Sequence, residues 1–293
     1  MDAVVLGGGD LLCPYRPHID ADFVNPMYLR RPVHVAGIGV ELNRPDINPD
    51  VVKQWRRFLR HPSVRSVSTR DSQSSEWLKR HILGRRSVAS HPDLVCALSL
   101  PRASRPEGAP ILGLVTRHLK HPRDYVLMAE VSRRLMADGW RVRHIIAGVG
   151  DHGQKDFENA EELKLEGKET VRTHDIDEIS RALGECTLVL SMKLHATLVA
   201  TMYGVPTICV NPVSKARAFM KSIDREDLVI EPKDPRLLEI VAAGVPDVPM
   251  EKVEQLRAQA IDYLKSLSQR IWQEYRDKSA VRKRLLPEML SWE

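Results

Sequence analysis

Hydrophobic positions fall into short blocks divided by polar stretches, and their period switches repeatedly between two and 3.6 residues. The run from Asp2 through Val4 and Leu6 is stopped by Gly7, Gly8 and Gly9, which predicts a buried strand entering a tight loop. A second run, Pro32 to Val40, repeats the pattern, and Val51 to Arg60 then carries Val, Trp and Leu at helical spacing. Val64 to Ser68 reads as a third strand. The polar cluster from Asp71 to Ser75 supplies a helix start ahead of Trp77, Leu78 and Ile82, and Ser87 to Ala89 offers a fourth strand. Strands alternating with helices are the pattern of a parallel α/β sheet.

Pro101 to Pro110 is rich in Pro, Gly, Ala and charge and reads as a linker. Beyond it the alternation restarts. Strands are predicted over Ile111 to Thr116, Val142 to Ala147, Cys186 to Ser191 and Pro206 to Val210. Helices are predicted from about Arg123 to Asp138, Ile176 to Leu183 and Leu194 to Tyr203, closed by Gly139, Gly184 and Gly204. From Met250 to Trp292, helical spacing joins Val253, Leu256, Ala260, Leu264, Leu267, Ile271 and Trp272. This stripe needs a partner, and the first domain is the expected one.

A length of 293 residues allows two cores, divided here as residues 1–104, 105–245 and a helical tail over 246–293. With 43% hydrophobic and 28% charged residues, wholesale disorder is excluded. No apolar run approaches the roughly 18 residues of a membrane span, and no basic leader precedes a hydrophobic one. A cytoplasmic location with at most peripheral membrane contact is expected. The net charge of +5 suits an anionic small molecule or polymer, and equally an ordinary solvated surface. Basic clusters at Arg56–Arg57 and Arg282–Arg284 have no recognition motif around them, so no specific nucleic-acid binding is expected. Cys13, Cys96, Cys186 and Cys209 lie far apart, without a disulfide or zinc framework. His118 and His121 form a tight pair, yet nearby carboxylates lack ligand spacing and Pro122 breaks the segment, so no metal is expected.

In open parallel sheets, ligands bind outside the carboxyl ends of the strands, where helix N-termini carry free N–H groups. His195 follows the strand ending at Ser191 and opens the next helix; Lys215 follows the strand ending at Val210, with Ser214 placed to cap the helix after it. A single helical crossover makes these strands parallel, so imidazole and ammonium share one edge. Arg70 occupies the corresponding edge of the first domain. Arginine offers a bidentate fork, lysine a point charge and histidine an exchangeable proton, a set suited to an anion. Gly7, Gly8 and Gly9 lack the G-x-G-x-x-G spacing and a Walker lysine, and alone would serve backbone packing.

In Gly7–Gly9, Ser68 through Asp71, Lys193 through His195, Gly204 through Pro206 and Lys215, the chain resembles the polysaccharide pyruvyl transferase family. The likeness runs to about Ile223, and the block from Leu194 to Pro206 followed by Lys215 is its specific part. The resemblance implies an α/β fold of two Rossmann-like domains (GT-B-like) with a central cleft and a C-terminal helical tail. It implies transfer of pyruvate from phosphoenolpyruvate, a donor substrate rather than a cofactor, onto a sugar or lipid-linked saccharide as a ketal. His195 becomes the catalytic group, and Arg70, Lys215, Lys193, Gly7, Gly8 and Gly9 become substrate-binding. Two departures stand out. Lys193 replaces the family's usual arginine, and the glycine strand begins at Asp2 where relatives carry some tens of preceding residues, so the expectation is either a sequence that starts late or a shortened first domain. A GT-B-type glycosyltransferase using a nucleotide sugar and a truncated, non-catalytic binding protein are the competing expectations.

Overall fold

The computed structural model describes residues 3–118, 122–148, 150–210 and 213–289. The chain divides into two compact units. One comprises the residues up to Ala97 together with the helix from Leu256 onward, and the other comprises Leu98–Gln255.

The first unit contains β1 (Val4–Gly7), β2 (Val33–Ile38), α1 (Pro49–Leu59), β3 (Val64–Thr69), α2 (Ser72–Leu78) and β4 (Ala89–Ser90). The strands are parallel and lie in sequence order, β1-β2-β3-β4. Both helices start where the chemistry dictates. Asn48 accepts the amide of Asp50, with Pro49 at the first turn of α1, and the Asp71 carboxylate accepts the Ser74 amide at 2.7 Å. Val33, Val35, Val64 and Val67 bury their side chains with Trp55, Phe58 and Leu59 of α1. A register shift lets Val33 pair with Val64 while His34 pairs with Ser66, so Arg65 is the extra residue and side-chain parity is restored beyond it.

Alternation then leaves His34, Ser66 and Ser68 on the other face of the sheet. There they meet the long C-terminal helix, α9 (Met250–Met289). The predicted buried strand β1 is instead a half-buried edge, with Val5 54% exposed, because it pairs on one side alone among the described strands.

The second unit follows as β5 (Ile111–Val115), α3 (Val126–Ala137), β6 (Arg141–Ile146), α4 (Gly150–Ala160), β7 (Glu169–Arg172) and α5 (Ile176–Gly184). It continues with β8 (Leu188–Ser191), α6 (Leu194–Met202), β9 (Thr207–Val210), α7 (Ser214–Ser222), β10 (Val229–Ile230) and α8 (Arg236–Ala243) before α9. Its six strands are parallel in the order β10-β9-β8-β5-β6-β7. Counted from β5, this is the doubly wound order 3-2-1-4-5-6, in which direction reverses between β5 and β8. Sequence periodicity predicted β5, β6, β8 and β9; it passed over α4, β7, β10 and α8.

Within α9, Val253, Ala260 and Leu267 are buried at seven-residue spacing, and residues from Leu256 belong to the first unit. The Ser68 hydroxyl donates to the Tyr263 phenol oxygen at 2.7 Å, and Glu274 lies 3.7 Å from His34 Nε2. Trp272, predicted in the buried stripe, is 60% exposed and stacks on Tyr275. It stands five residues from Leu267, roughly 140° away around the helix.

Candidate functional site

In the second unit the reversal of strand order puts the crevice at the carboxyl ends of β5 and β8, where neighbouring crossovers leave to opposite faces. Thr116 to His118 follow β5, and Met192 to His195 follow β8. The turn after β8 is braced locally. Ser191 Oγ accepts the Lys193 amide at 3.1 Å and donates to the Lys193 carbonyl at 2.9 Å, while Thr197 Oγ1 donates to the same carbonyl at 3.0 Å. Both hydroxyl residues are fully buried. Helix α6 is buried almost all round, including Leu194 and every residue from Ala196 to Thr201, yet His195 in its first turn is exposed.

Lys193 is paired with Asp156, a buried carboxylate of α4 that also accepts the His118 amide at 2.7 Å. One carboxylate thus ties together the loops after β5 and β8 on either side of the crevice. It can do so because Gly148 has no side chain: a Cβ there would come within 3.0 Å of Lys193 Nζ and closer still to Asp156. Gly148, Gly150 and Gly153 have G-x-G-x-x-G spacing, but they follow β6, the second strand of the wound order, rather than β5. A side chain on Gly153 would strike the Gly148 carbonyl, so close packing accounts for that glycine. Lys215 is half-buried in the first turn of α7, after β9. The expected Ser214 cap is not formed: Val213 holds the N-cap position, and Ser214 is already helical.

Beneath this edge, His144 of β6 is fully buried, with Nε2 2.8 Å from Thr116 Oγ1 and Nδ1 without a hydrogen-bond partner among the described residues. Burial pushes its pKa down to about 4, and Lys168 reinforces this. The native state therefore binds fewer protons than the unfolded chain between about pH 6.5 and 4. The residue's contribution to stability is complete above that range and is lost as pH falls through it. Denaturant titrations are expected to show a loss of up to roughly 3 kcal/mol over this interval, flattened in His144→Gln. An unchanged pH slope in the variant would refute the assignment.

In the first unit, Arg70 leaves β3 at its carboxyl end and turns inward rather than to solvent. It is 8% exposed, with its guanidinium paired to Asp10 and, at 3.2 Å, to Asp93. Nε is buried without a hydrogen-bond partner among the described residues. The glycine loop builds the same corner. The Gly8 amide donates to the Ala36 carbonyl, Gly39 donates to the Gly9 carbonyl, and a Cβ on Gly7 would strike Ala36. Gly8 and Gly9 have φ of 81° and 79°, which side-chain-bearing residues rarely adopt. Gly39 lies so close to Arg70 that a Cβ would come within 2.8 Å of Nε. Glycines 7–9 thus deliver Asp10 to Arg70 across Gly39. Nearby, Cys13 donates to Glu41 at 3.2 Å, and its thiol is pushed up to about 12 by burial and this carboxylate, which leaves it protonated.

The predicted residues consequently form two groups: Gly7, Gly8, Gly9 and Arg70 at the edge of the first unit, and Lys193, His195 and Lys215 at the edge of the second. Sequence reading missed Asp10, Asp93 and Asp156. Asp10 carried a signal, since it follows a glycine triplet at a strand end. His121 lies outside the described residues. Among the described residues no group of three or more His, Cys, Asp or Glu is placed to hold a metal ion, and no helix is long and apolar enough to cross a membrane.

A family model described as polysaccharide pyruvyl transferase matches residues 1–213, which include both groups except Lys215. No curated protein shows significant sequence similarity to the chain. Among solved structures, sucrose-phosphate synthase from Thermosynechococcus elongatus is similar at a TM-score of 0.54 and 13% identity, covering 87% of this chain and 75% of its own. S. aureus MnaA in its structure with UDP gives 0.53 and 10%, covering 88% and 68%. A UDP-N-acetylglucosamine 2-epimerase homologue from Listeria monocytogenes gives 0.52 and 12%, covering 90% and 75%. At these identities the likeness establishes a GT-B-like fold and nothing of the chemistry.

Proposed function

Because the chain belongs to the polysaccharide pyruvyl transferase family, we propose that it moves pyruvate from phosphoenolpyruvate onto two hydroxyls of a sugar in a polysaccharide precursor, forming a ketal. The observation that carries this reading is the exposure of His195, a proton-exchanging group on an otherwise enclosed helix, beside the strand-order reversal.

In the proposed reaction His195 donates a proton to the donor's methylene carbon, and the adjacent carbon becomes cationic. One sugar hydroxyl adds to that carbon, the bond to the phosphate oxygen breaks, and inorganic phosphate leaves. The second hydroxyl closes the ketal; the two hydroxyl protons leave to solvent or phosphate and to His195, which is restored. Lys215 contributes positive charge to the donor's phosphate and carboxylate. Lys193, held by Asp156, sets the turn that aims His195 and adds charge at the same edge. Arg70 and glycines 7–9 are the substrate-binding candidates of the first unit. Because Asp10 and Asp93 already occupy the Arg70 fork, direct contact with the donor requires exchange of one carboxylate for the donor's.

The test is phosphate release from phosphoenolpyruvate in the presence of saccharide acceptors, with mass detection of the ketal. Acceptor-dependent release supports the reading. Sugar transfer from a UDP-sugar with no turnover of phosphoenolpyruvate would replace it with a glycosyltransferase.

A further inference from the structure

On the sheet face opposite α1, a cavity of about 750 Å³ opens between β3, the segment Arg86–His91 and α9. It lies within the first unit, and its size falls in the range of small-molecule sites. Three features define what it would accept. Arg65 from the strand side and Arg270 from the helix side both line it; both are exposed, and neither forms an ion pair among the described residues. Arg86 also lines it, but its guanidinium donates to the carbonyls of Leu59 and Val64 and its role is structural. Asp262 is the one carboxylate of the lining. The balance is therefore positive, with two arginine forks still able to take an oxyanion.

The second feature is a ring wall. His91 stacks on Tyr263 with centroids 4.0 Å apart and planes at 25°, and the Ser68 hydroxyl fixes the phenol from below. Burial lowers the His91 pKa, which keeps the imidazole uncharged at neutral pH. The third is a scatter of neutral polar groups, Ser66 and Gln259 among them, able to bond hydroxyls. Apolar C–H faces pack on rings, hydroxyls bond to such side chains, and oxyanions pair with arginine.

We propose that this cavity binds an anionic saccharide, a sugar bearing a phosphate or carboxylate group. None of the residues assigned to the donor lines this cavity, and its occupancy does not require the donor chemistry proposed above.

Titration calorimetry with glucose 6-phosphate, glucuronate, glucose and inorganic phosphate tests it on the full chain. Glucose 6-phosphate or glucuronate is expected to bind at least about tenfold more tightly than glucose or inorganic phosphate, and less tightly as salt rises. Arg65→Ala with Arg270→Ala is expected to weaken that binding at least about tenfold without lowering Tm, since both side chains are exposed. His195→Gln is expected to leave it unchanged. Failure of both anionic sugars to bind at roughly 10 mM, equal binding of glucose, equal binding of inorganic phosphate, or full affinity in the arginine variant would overturn the proposal. So would loss of binding in His195→Gln, which would assign the probe to the second unit. Because binding is read without turnover, an inactive protein that binds would refute the transferase reading while leaving this one intact.

Discussion

Replacement of His195 by glutamine is expected to lower turnover by about 10²- to 10⁴-fold in the phosphate-release assay, with Tm and donor affinity close to wild type. Glutamine retains a hydrogen-bonding group but is not a proton donor to carbon. The side chain is exposed on α6, whereas the neighbours that hold the helix, Leu194, Ala196 and Thr197, are buried and untouched by the change. A structural role would produce the reverse: a lower Tm with folded protein turning over normally. Lys215→Ala provides the contrast. Removing an ammonium deletes attraction in both ground state and transition state, so KM for phosphoenolpyruvate should rise as turnover falls. Equal, small effects from both substitutions would remove the proposed acid from the reaction.

Local chemistry was the legible part of the chain. The Asp71 cap, the strand blocks and the position of His195 after β8 depend on residues within a few positions of one another, and periodicity displays them. What pairs with what depends on the sheet order, which periodicity does not encode. Thus β1, an apolar run ending in glycine, is an edge strand, and Trp272 lies off the buried face of α9 despite its helical spacing. Short or polar elements also escaped. In β7 the sequence is Glu-Thr-Val-Arg, half-buried and charged at both ends, and α4 begins among glycines. The site followed the same division. Cationic and imidazole groups were visible as residue types at strand ends, but their carboxylate partners were not: Asp10 lies 60 positions from Arg70, Asp156 lies 37 from Lys193, and no local spacing connects them.

That distant pairing makes Arg70 consequential for the stability of the first unit. Arg70→Met is expected to destabilise it by roughly 3 to 5 kcal/mol, because the change leaves Asp10 and Asp93 without the cation that offsets their desolvation. The cost should come mainly from the loss of this cation beside the two carboxylates, as methionine preserves much of the apolar volume. Adding Asp10→Asn and Asp93→Asn to Arg70→Met should therefore recover a large part of the loss, although the single Asn changes each break an ion pair. Denaturant unfolding of wild type, Arg70→Met, the Asp10→Asn/Asp93→Asn double variant and the variant with all three changes measures this coupling. Arg70→Lys separates the two roles. It retains charge and loses the fork, so a purely structural Arg70 predicts lower stability with an unchanged KM in the folded fraction. Carboxylate exchange with the donor predicts a raised KM as well. If Arg70→Met unfolds at the wild-type denaturant midpoint, the buried clamp is not what holds the glycine loop, Gly39 and the end of β3 together.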